Sequence, residues 1–177
     1  MRVDIWSDVV CPFCYIGKKR LEKAATEAGV ELEVHWHSYQ LDPEAPVRQE
    51  VSNSERLAQK YGRTLAEVEE MQRNIAAMAK EEGIEFNWEG ANSGNTFNAH
   101  RLIHLAQSKG LGSEAKEAFF FSYMTQGLAI GERETIEDVA SRIGLNPVEV
   151  DDLLESDAYA DFVKFDEEVA REQLQVT

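Results

Sequence analysis

Two cysteines, Cys11 and Cys14, sit two residues apart where one kind of hydrophobic pattern gives way to another. Before them, Val3-Asp4-Ile5-Trp6 reads as a strand. After them, Ile16, Leu21, Ala24 and Ala25 offer one face of a helix that Gly29 ends. The pair therefore lies on a strand-to-helix turn. A helix N-terminus carries unpaired N–H groups and about half a positive charge, both of which favour a thiolate. Pro12 costs nothing at a first-turn position, where no donor is needed. Cys11 is thus expected to be the exposed, activated sulfur, and Cys14, one turn on, the resolving thiol.

The chain has 177 residues, enough for one substantial domain, and at 43% hydrophobic it can build a real core. With 18 basic against 33 acidic residues its formal net charge is −15, which repels phosphate backbones and anionic lipid heads. Nucleic-acid and membrane partners are therefore not expected. No stretch reaches the ~20 apolar residues of a span, and Met1-Arg2-Val3-Asp4 enters a strand without a secretory pattern. A cytoplasmic protein is the expectation. In a reducing cytosol a lone C-x-x-C is catalytic or metal-binding more readily than a structural staple, and at the first turn of a βαβ unit it marks a thioredoxin-like redox site.

Three zones follow from the patterning. Residues 1–41 read as strand, helix and strand: the second strand is expected over 31–41, with Leu32, Val34 and Trp36 on one face and Glu31, Glu33, His35 and His37 on the other. Residues 42–157 read as a helical insertion. Helices are expected over 52–61, from the Thr64–Glu67 capping box to about 82, over 96–108, from caps at Ser113 and Thr135, and from Asn146-Pro147. Residues 158–177 read as a returning helix with Tyr159, Phe162, Val163, Val169 and Leu174 as its apolar stripe.

Other chemistry-bearing residues have readings of their own. His100 and His104, one helical turn apart, have the spacing to complete a tetrahedral zinc site with the cysteines, but 86 residues separate His100 from Cys14, and no metal is expected. His35 and His37 read as a solvated or lightly covered sheet face. Lys18-Lys19-Arg20 reads as the wet face of its helix. Phe119-Phe120-Phe121 cannot all face one core; packing between insertion helices is the first reading, and a groove lined by one of them is the alternative. Asp8 precedes the motif, and spacing alone does not place it.

Cys11-Pro12-Phe13-Cys14-Tyr15-Ile16-Gly17, the βαβ opening, the helical insertion and Asn95-Thr96-Phe97-Asn98-Ala99-His100-Arg101-Leu102 together resemble the DsbA-like thioredoxin-fold oxidoreductases, most closely their FrnE-like branch. That branch includes a polyketide-pathway dithiol–disulfide isomerase and has the 2-hydroxychromene-2-carboxylate isomerases as relatives. The resemblance implies an α/β thioredoxin-like fold interrupted by a large all-α insertion. It implies a thiol–disulfide oxidoreductase or isomerase working through Cys11 and Cys14, with Pro12, Phe13, His100 and Asn95 in support; His100, between Ala99 and Leu102, reads first as a hydrogen-bonded core histidine, and a place facing the cleft over the cysteines is the alternative for it and for Asn95. Phe13, lacking the extra donor of a histidine, points to a milder oxidant than the periplasmic relatives. Substrates would be disulfide-containing proteins or small molecules. No cofactor is implied, with glutathione as an alternative thiol co-substrate in an isomerase-like enzyme. A non-catalytic fragment is the remaining alternative.

One departure stands out. The family has a cis-proline turn facing the active cysteine, followed by two strands and a final helix, and the prolines here, at 12, 43, 46 and 147, cannot fill that role. The C-terminal strands and last helix are therefore expected to be missing. That leaves a free edge on strand one, of the kind proteins cover. Either the gene product is shortened or a second copy covers the edge in a homodimer.

Overall fold

The computed structural model describes residues 1–175. In chain order they form β1 (Arg2–Ser7), α1 (Pro12–Ala28), β2 (Glu33–Ser38), α2 (Asn53–Tyr61), α3 (Leu65–Glu81), α4 (Phe97–Ser108), α5 (Gly112–Met124), α6 (Arg133–Arg142), α7 (Pro147–Leu154) and α8 (Ala160–Glu172). The last two residues of the expected returning segment lie outside the described ones.

β1 and β2 pair in parallel, from Arg2 opposite Glu33 to Ser7 opposite Ser38, with α1 as the crossover. Among the described residues the sheet has these two strands, so the other edge of β1 has no strand partner. α1 ends as its sequence dictates. Gly29 adopts φ 65°, and the Val30 N–H closes onto the Ala25 carbonyl at 2.9 Å. β2 is shorter than the expected 31–41. Its C-terminal end leaves the ladder because other acceptors take the backbone donors: Gln40 N–H bonds Glu167 at 2.9 Å and Leu41 N–H bonds Asp8 at 2.8 Å.

The helix starts divide into two kinds. Ser52–Glu55 and Thr64–Glu67 form reciprocal capping boxes, and Asn146 caps α7 with Pro147 at its first turn. Ser113 and Thr135, expected as caps, lie inside their helices instead: α5 starts at Gly112 and α6 at Arg133. Ser113 serves a tertiary contact, its hydroxyl accepting the Trp36 indole N–H at 3.0 Å.

One continuous core joins Val9, Tyr15 and Trp36 from the βαβ unit to Leu102, Phe119, Phe120, Ile136 and Leu153 from the helices. Phe119 and Phe120 are wholly buried and Phe121 faces outward. On the other sheet face the apolar stripe expected for α8 misses the helix's true inward face. Val163 is buried, but Phe162 is 60% exposed, and Asp166 and Glu167 point inward. Asp166 accepts from Ser38 N–H at 2.8 Å and meets His37 Nδ1 at 2.7 Å, while its backbone carbonyl takes the Trp6 indole N–H at 3.0 Å. His37 stacks on Trp6 with centroids 4.2 Å apart. α8 thus covers the His37 end of that face through polar contacts, which a hydrophobic pattern does not register, while His35 and Glu33, bonded to each other at 2.9 Å, leave the rest lightly covered as expected.

Lys18 also departs from the wet-face reading. It is 7% exposed and bonded to Glu22 and Glu117, both at 2.6 Å. Lys19 joins Glu117 from the other side.

The loop after β2 is clasped by two glycines. A Cβ on Gly94 or on Gly131 would stand 2.3 Å from the Val47 carbonyl oxygen, whereas one on Gly17, inside α1, would meet nothing within 4 Å. Gly94→Ala should therefore destabilise the protein by about 2 kcal/mol. Gly17→Ala should stabilise it by ~0.5–1 kcal/mol by removing a helix-interior glycine. Urea unfolding midpoints of the two variants against the wild type check both signs.

Candidate active site

Cys11 is the N-cap of α1, with extended backbone (φ −91°, ψ 111°), and Pro12 is the first helical residue. Proline's fixed φ suits that position and its missing N–H is not needed there. The Cys11 carbonyl accepts from Cys14 N–H at 3.1 Å and Tyr15 N–H at 3.4 Å, so the motif is itself the first helical turn. Both cysteines are free thiols and half-buried, while Phe13 between them projects into solvent at 58% exposure.

The two sulfurs are not equivalent. The Cys14 S–H donates to Cys11, and this bond is the largest cause that lowers the Cys11 thiol to about 7. The Phe13 and Cys14 backbone N–H groups help, and burial and the Asp8 carboxylate oppose. For Cys14 the same bond, then burial, then the charge of Cys11 push its pKa far up, with the Lys116 cation acting the other way. The partner thiol therefore adds to the helix-terminus electrostatics expected from the sequence a source of acidity that the sequence analysis did not include.

Beneath the turn lies a buried polar cluster. Asp8, 2% exposed, accepts from Val9 N–H at 2.8 Å, Leu41 N–H at 2.8 Å and His100 Nε2 at 3.2 Å. Burial raises its pKa, but the His100 and Leu41 bonds prevail and the net shift is downward. Burial holds the His100 pKa down against the pull of Asp8. A neutral imidazole donating from Nε2 satisfies the carboxylate without placing a second cation in the core. The first cation is Lys116. It is wholly buried, its Nζ donates to the Ser7 carbonyl at 3.1 Å, and it lies over the Trp36 and Phe120 rings at 5.4 and 5.5 Å. Burial lowers it to about 8, against Asp8 and both cysteines.

The sequence-derived residues thus fall into three groups. Cys11, Pro12 and Phe13 line a cavity of about 340 Å³ between the motif and the α2–α3 helices. His100 does not line it; it stands behind Asp8. Asn95 holds the far wall in place, its side-chain amide donating to the Pro43 and Ala45 carbonyls at 3.0 and 3.2 Å. The zinc-like pairing of His100 and His104 does not form, since His104 bonds Ser38 at 3.0 Å and lies 3.2 Å from Asp166. Among the described residues no group of three or more His, Cys, Asp or Glu is arranged to hold a metal ion, and no helix is long and apolar enough to cross a membrane. Lys116 was missed because a lysine in Glu114-Ala115-Lys116-Glu117-Ala118 looks like any solvated helix position. Its place between Ala115 and Phe119 on the buried face was the available signal.

A parallel β–α–β unit with a dithiol as the first helical turn, packed against a bundle of helices, is a thioredoxin-like α/β protein. The chain belongs to the DSBA-like thioredoxin domain family, whose model matches residues 2–177. A probable DsbA oxidoreductase from Streptomyces coelicolor is similar in structure with a TM-score of 0.91 and 34% identity, over 99% of this chain and 76% of that one. An uncharacterized Bacillus subtilis (strain 168) protein, YwbO, is 25% identical over 162 residues, 91% of this chain and 75% of that one. The cytosolic disulfide reductase DsbM from Pseudomonas aeruginosa shares the fold, with a TM-score of 0.66 at 14% identity over 98% of this chain and 80% of that one.

The inequality of the two sulfurs has a direct measure. The rate of Cys11 alkylation by iodoacetamide should rise with pH through a midpoint near 7. In Cys14→Ala, which removes the donor, the midpoint should move up toward the ordinary ~8.5 of a free cysteine. Intact-mass kinetics between pH 5 and 10 give both values. A midpoint that stays put in the variant would return the acidity to the helix terminus.

Proposed function

We propose that this protein is a thiol–disulfide oxidoreductase in which Cys11 attacks and Cys14 resolves. The observation that carries the reading is the split acidity of the pair, with Cys11 near 7 and Cys14 far above it, at the edge of a cavity. A lowered pKa gives Cys11 a large thiolate fraction at neutral pH. A pKa close to ambient is also the best compromise between that fraction and nucleophilicity.

The steps balance as a two-electron exchange. The Cys11 thiolate attacks one sulfur of a substrate disulfide, forming a mixed disulfide and expelling the other sulfur as a thiolate. Cys14 then loses its proton and attacks the Cys11 sulfur, closing the Cys11–Cys14 disulfide and releasing the second substrate thiolate. The substrate gains two electrons and the protein dithiol loses them; run backwards, the same steps oxidise a dithiol substrate. Once Cys11 is in the mixed disulfide, its negative charge no longer opposes ionisation of Cys14. The Lys116 ammonium then favours the Cys14 thiolate, and the proton passes to solvent.

Pro12 sets the backbone of the turn, and Phe13 offers substrate an apolar surface beside the nucleophile. His100 acts through Asp8 and Asn95 through the cavity wall, so both are positioning residues. In the same reading residues 1–41 and 158–177 form the thioredoxin-like part and 42–157 the helical insertion.

Cys11→Ser should lose at least 100-fold in disulfide exchange with a small fluorogenic disulfide, and exchange at the wild-type rate would end the proposal. Lys116→Met should act mainly on the second step. The mixed disulfide should persist about ten-fold longer at pH 7, as expected for one unit of added Cys14 pKa, while the pH midpoint of Cys11 alkylation, which the same cation also favours, rises by less. Intact-mass quench kinetics resolve the two steps.

A further inference from the structure

Among the described residues, three of the four histidines bond through Nε2 alone: His35 to Glu33, His100 to Asp8, and His104 to Ser38 with Asp166 3.2 Å away. His37 engages both ring nitrogens. Its Nδ1 stands 2.7 Å from Asp166 Oδ1 and its Nε2 3.1 Å from Asp4 Oδ1. A neutral imidazole has one N–H, and its other nitrogen carries a lone pair that an ionised carboxylate repels. Only the imidazolium, a donor at both ends, satisfies the two contacts together. Thiol exchange uses none of these groups.

The three residues lie on three elements: Asp4 on β1, His37 on β2 and Asp166 on α8. Both acids are ionised at neutral pH. Arg2 and then His37 lower Asp4 to about 2. Burial raises Asp166, but bonds from His104, His37 and the Ser38 N–H outweigh it and hold that carboxyl well below the usual range. Among the described residues no other cation takes the place of His37. Arg2 of β1 is paired with Asp4 at 2.8 Å, His35 of β2 with Glu33 and Arg171 of α8 with Glu167. His104 of α4 reaches the second Asp166 oxygen, and Lys116 of α5 lies over Trp36, whose side chain points to the opposite face of β2.

α8 in turn holds the strand end that supports the site. Asp166 Oδ2 accepts the Ser38 N–H at 2.8 Å and Glu167 accepts the Gln40 N–H at 2.9 Å. The next residue, Leu41, donates its N–H to Asp8, which also accepts from Val9 N–H in the Cys11 turn. We propose that His37, bonded at both ring nitrogens, is a pH-sensitive clasp between α8 and the sheet. Protonated, the ring locks α8 to β1 and β2; deprotonated, it gives up one carboxylate, and α8 loosens together with the 38–41 segment it holds. The Asp166 bond raises the His37 pKa, with burial opposing and the Asp4 bond adding. The clasp is therefore at full strength below about pH 6.5, where a histidine is charged even when α8 is free, and it fails as pH rises through the higher, docked value. This device stands apart from the sulfur chemistry and holds whatever substrate Cys11 meets.

Two measurements test the clasp. In the first, proton NMR follows the imidazole resonances against pH, with His37 assigned by its absence in His37→Gln. The His37 midpoint should lie above the ordinary ~6.5 and fall back toward it in Asp4→Asn. A wild-type midpoint at or below the ordinary value overturns the bridging imidazolium. In the second, hydrogen exchange of the α8 amides is expressed as protection relative to an unstructured chain at the same pH. Cys11 and Lys116 titrate in the same range, at about 7 and about 8, so the reference is His37→Arg, which keeps a planar cation at every pH and leaves those two groups in place. Between about pH 5.5 and about pH 8.5 wild-type α8 should lose about five-fold in protection, with the Gln40 and Leu41 amides following, while His37→Arg stays level. No loss in the wild type, or an equal loss in His37→Arg, overturns the clasp, and a loss confined to α8 overturns its hold on the 38–41 segment. Asp4→Asn, a change at the exposed edge of β1, gives an independent check: it should shrink the wild-type response, and an unchanged response overturns the clasp as well.

Discussion

Asp8 is the point on which the site hangs. Its carboxylate ties three distant stretches together: the turn that carries Cys11 through Val9 N–H, the end of β2 through Leu41 N–H, and α4 through His100. A buried carboxylate is expensive unless its lone pairs are satisfied, and here backbone donors and an imidazole satisfy them. The same charge gives Lys116 a reason to be buried, and Lys116 in turn bears on Cys14. Structural order and thiol acidity thus share one electrostatic centre, so a change at Asp8 would disturb both together.

The cysteines add a second level. The turn makes Cys11 the cap and places Cys14 inside the helix, one turn apart, so that the inner thiol donates to the outer sulfur. A hydrogen bond that stabilises one thiolate also suppresses ionisation of its donor. The proposed order of attack and resolution follows from that asymmetry, with Asp8 and Lys116 acting on it from beneath. Around this centre α8 covers the His37 end of one sheet face with the Asp166 carboxylate, and α2 and α3 shape an apolar cavity on the side where Cys11 opens.

Much of this was legible in the residue order. The dithiol turn, the crossover helix with its Gly29 stop, the parallel pair and the capping boxes at Ser52 and Thr64 depend on neighbours within a few positions, where local rules hold. Errors came where long-range polar contacts override local signals. Ser113 and Thr135 have the chemistry of caps, but their helices start earlier. α8 turns its acids inward because β2 presents His37 and the Ser38 N–H to it, and β2 ends early because Asp8 and Glu167 take its donors. Lys18 and Lys116 looked solvated because burial of a cation is decided by acids and carbonyls contributed from far along the chain.

The sequence by itself determined that a cysteine pair would cap a helix after a strand, since that needs only alternation, a proline at the first turn and a helical period. Tertiary structure alone decided that the pair would lie over a buried Asp8–His100–Lys116 cluster. It alone brought Arg56, Ser93 and Thr96 to the lining of one cavity. The physical reason is range: capping is settled within one turn of helix, whereas the energy of a buried charge or an unpaired donor depends on groups dozens of residues away that only folding brings together.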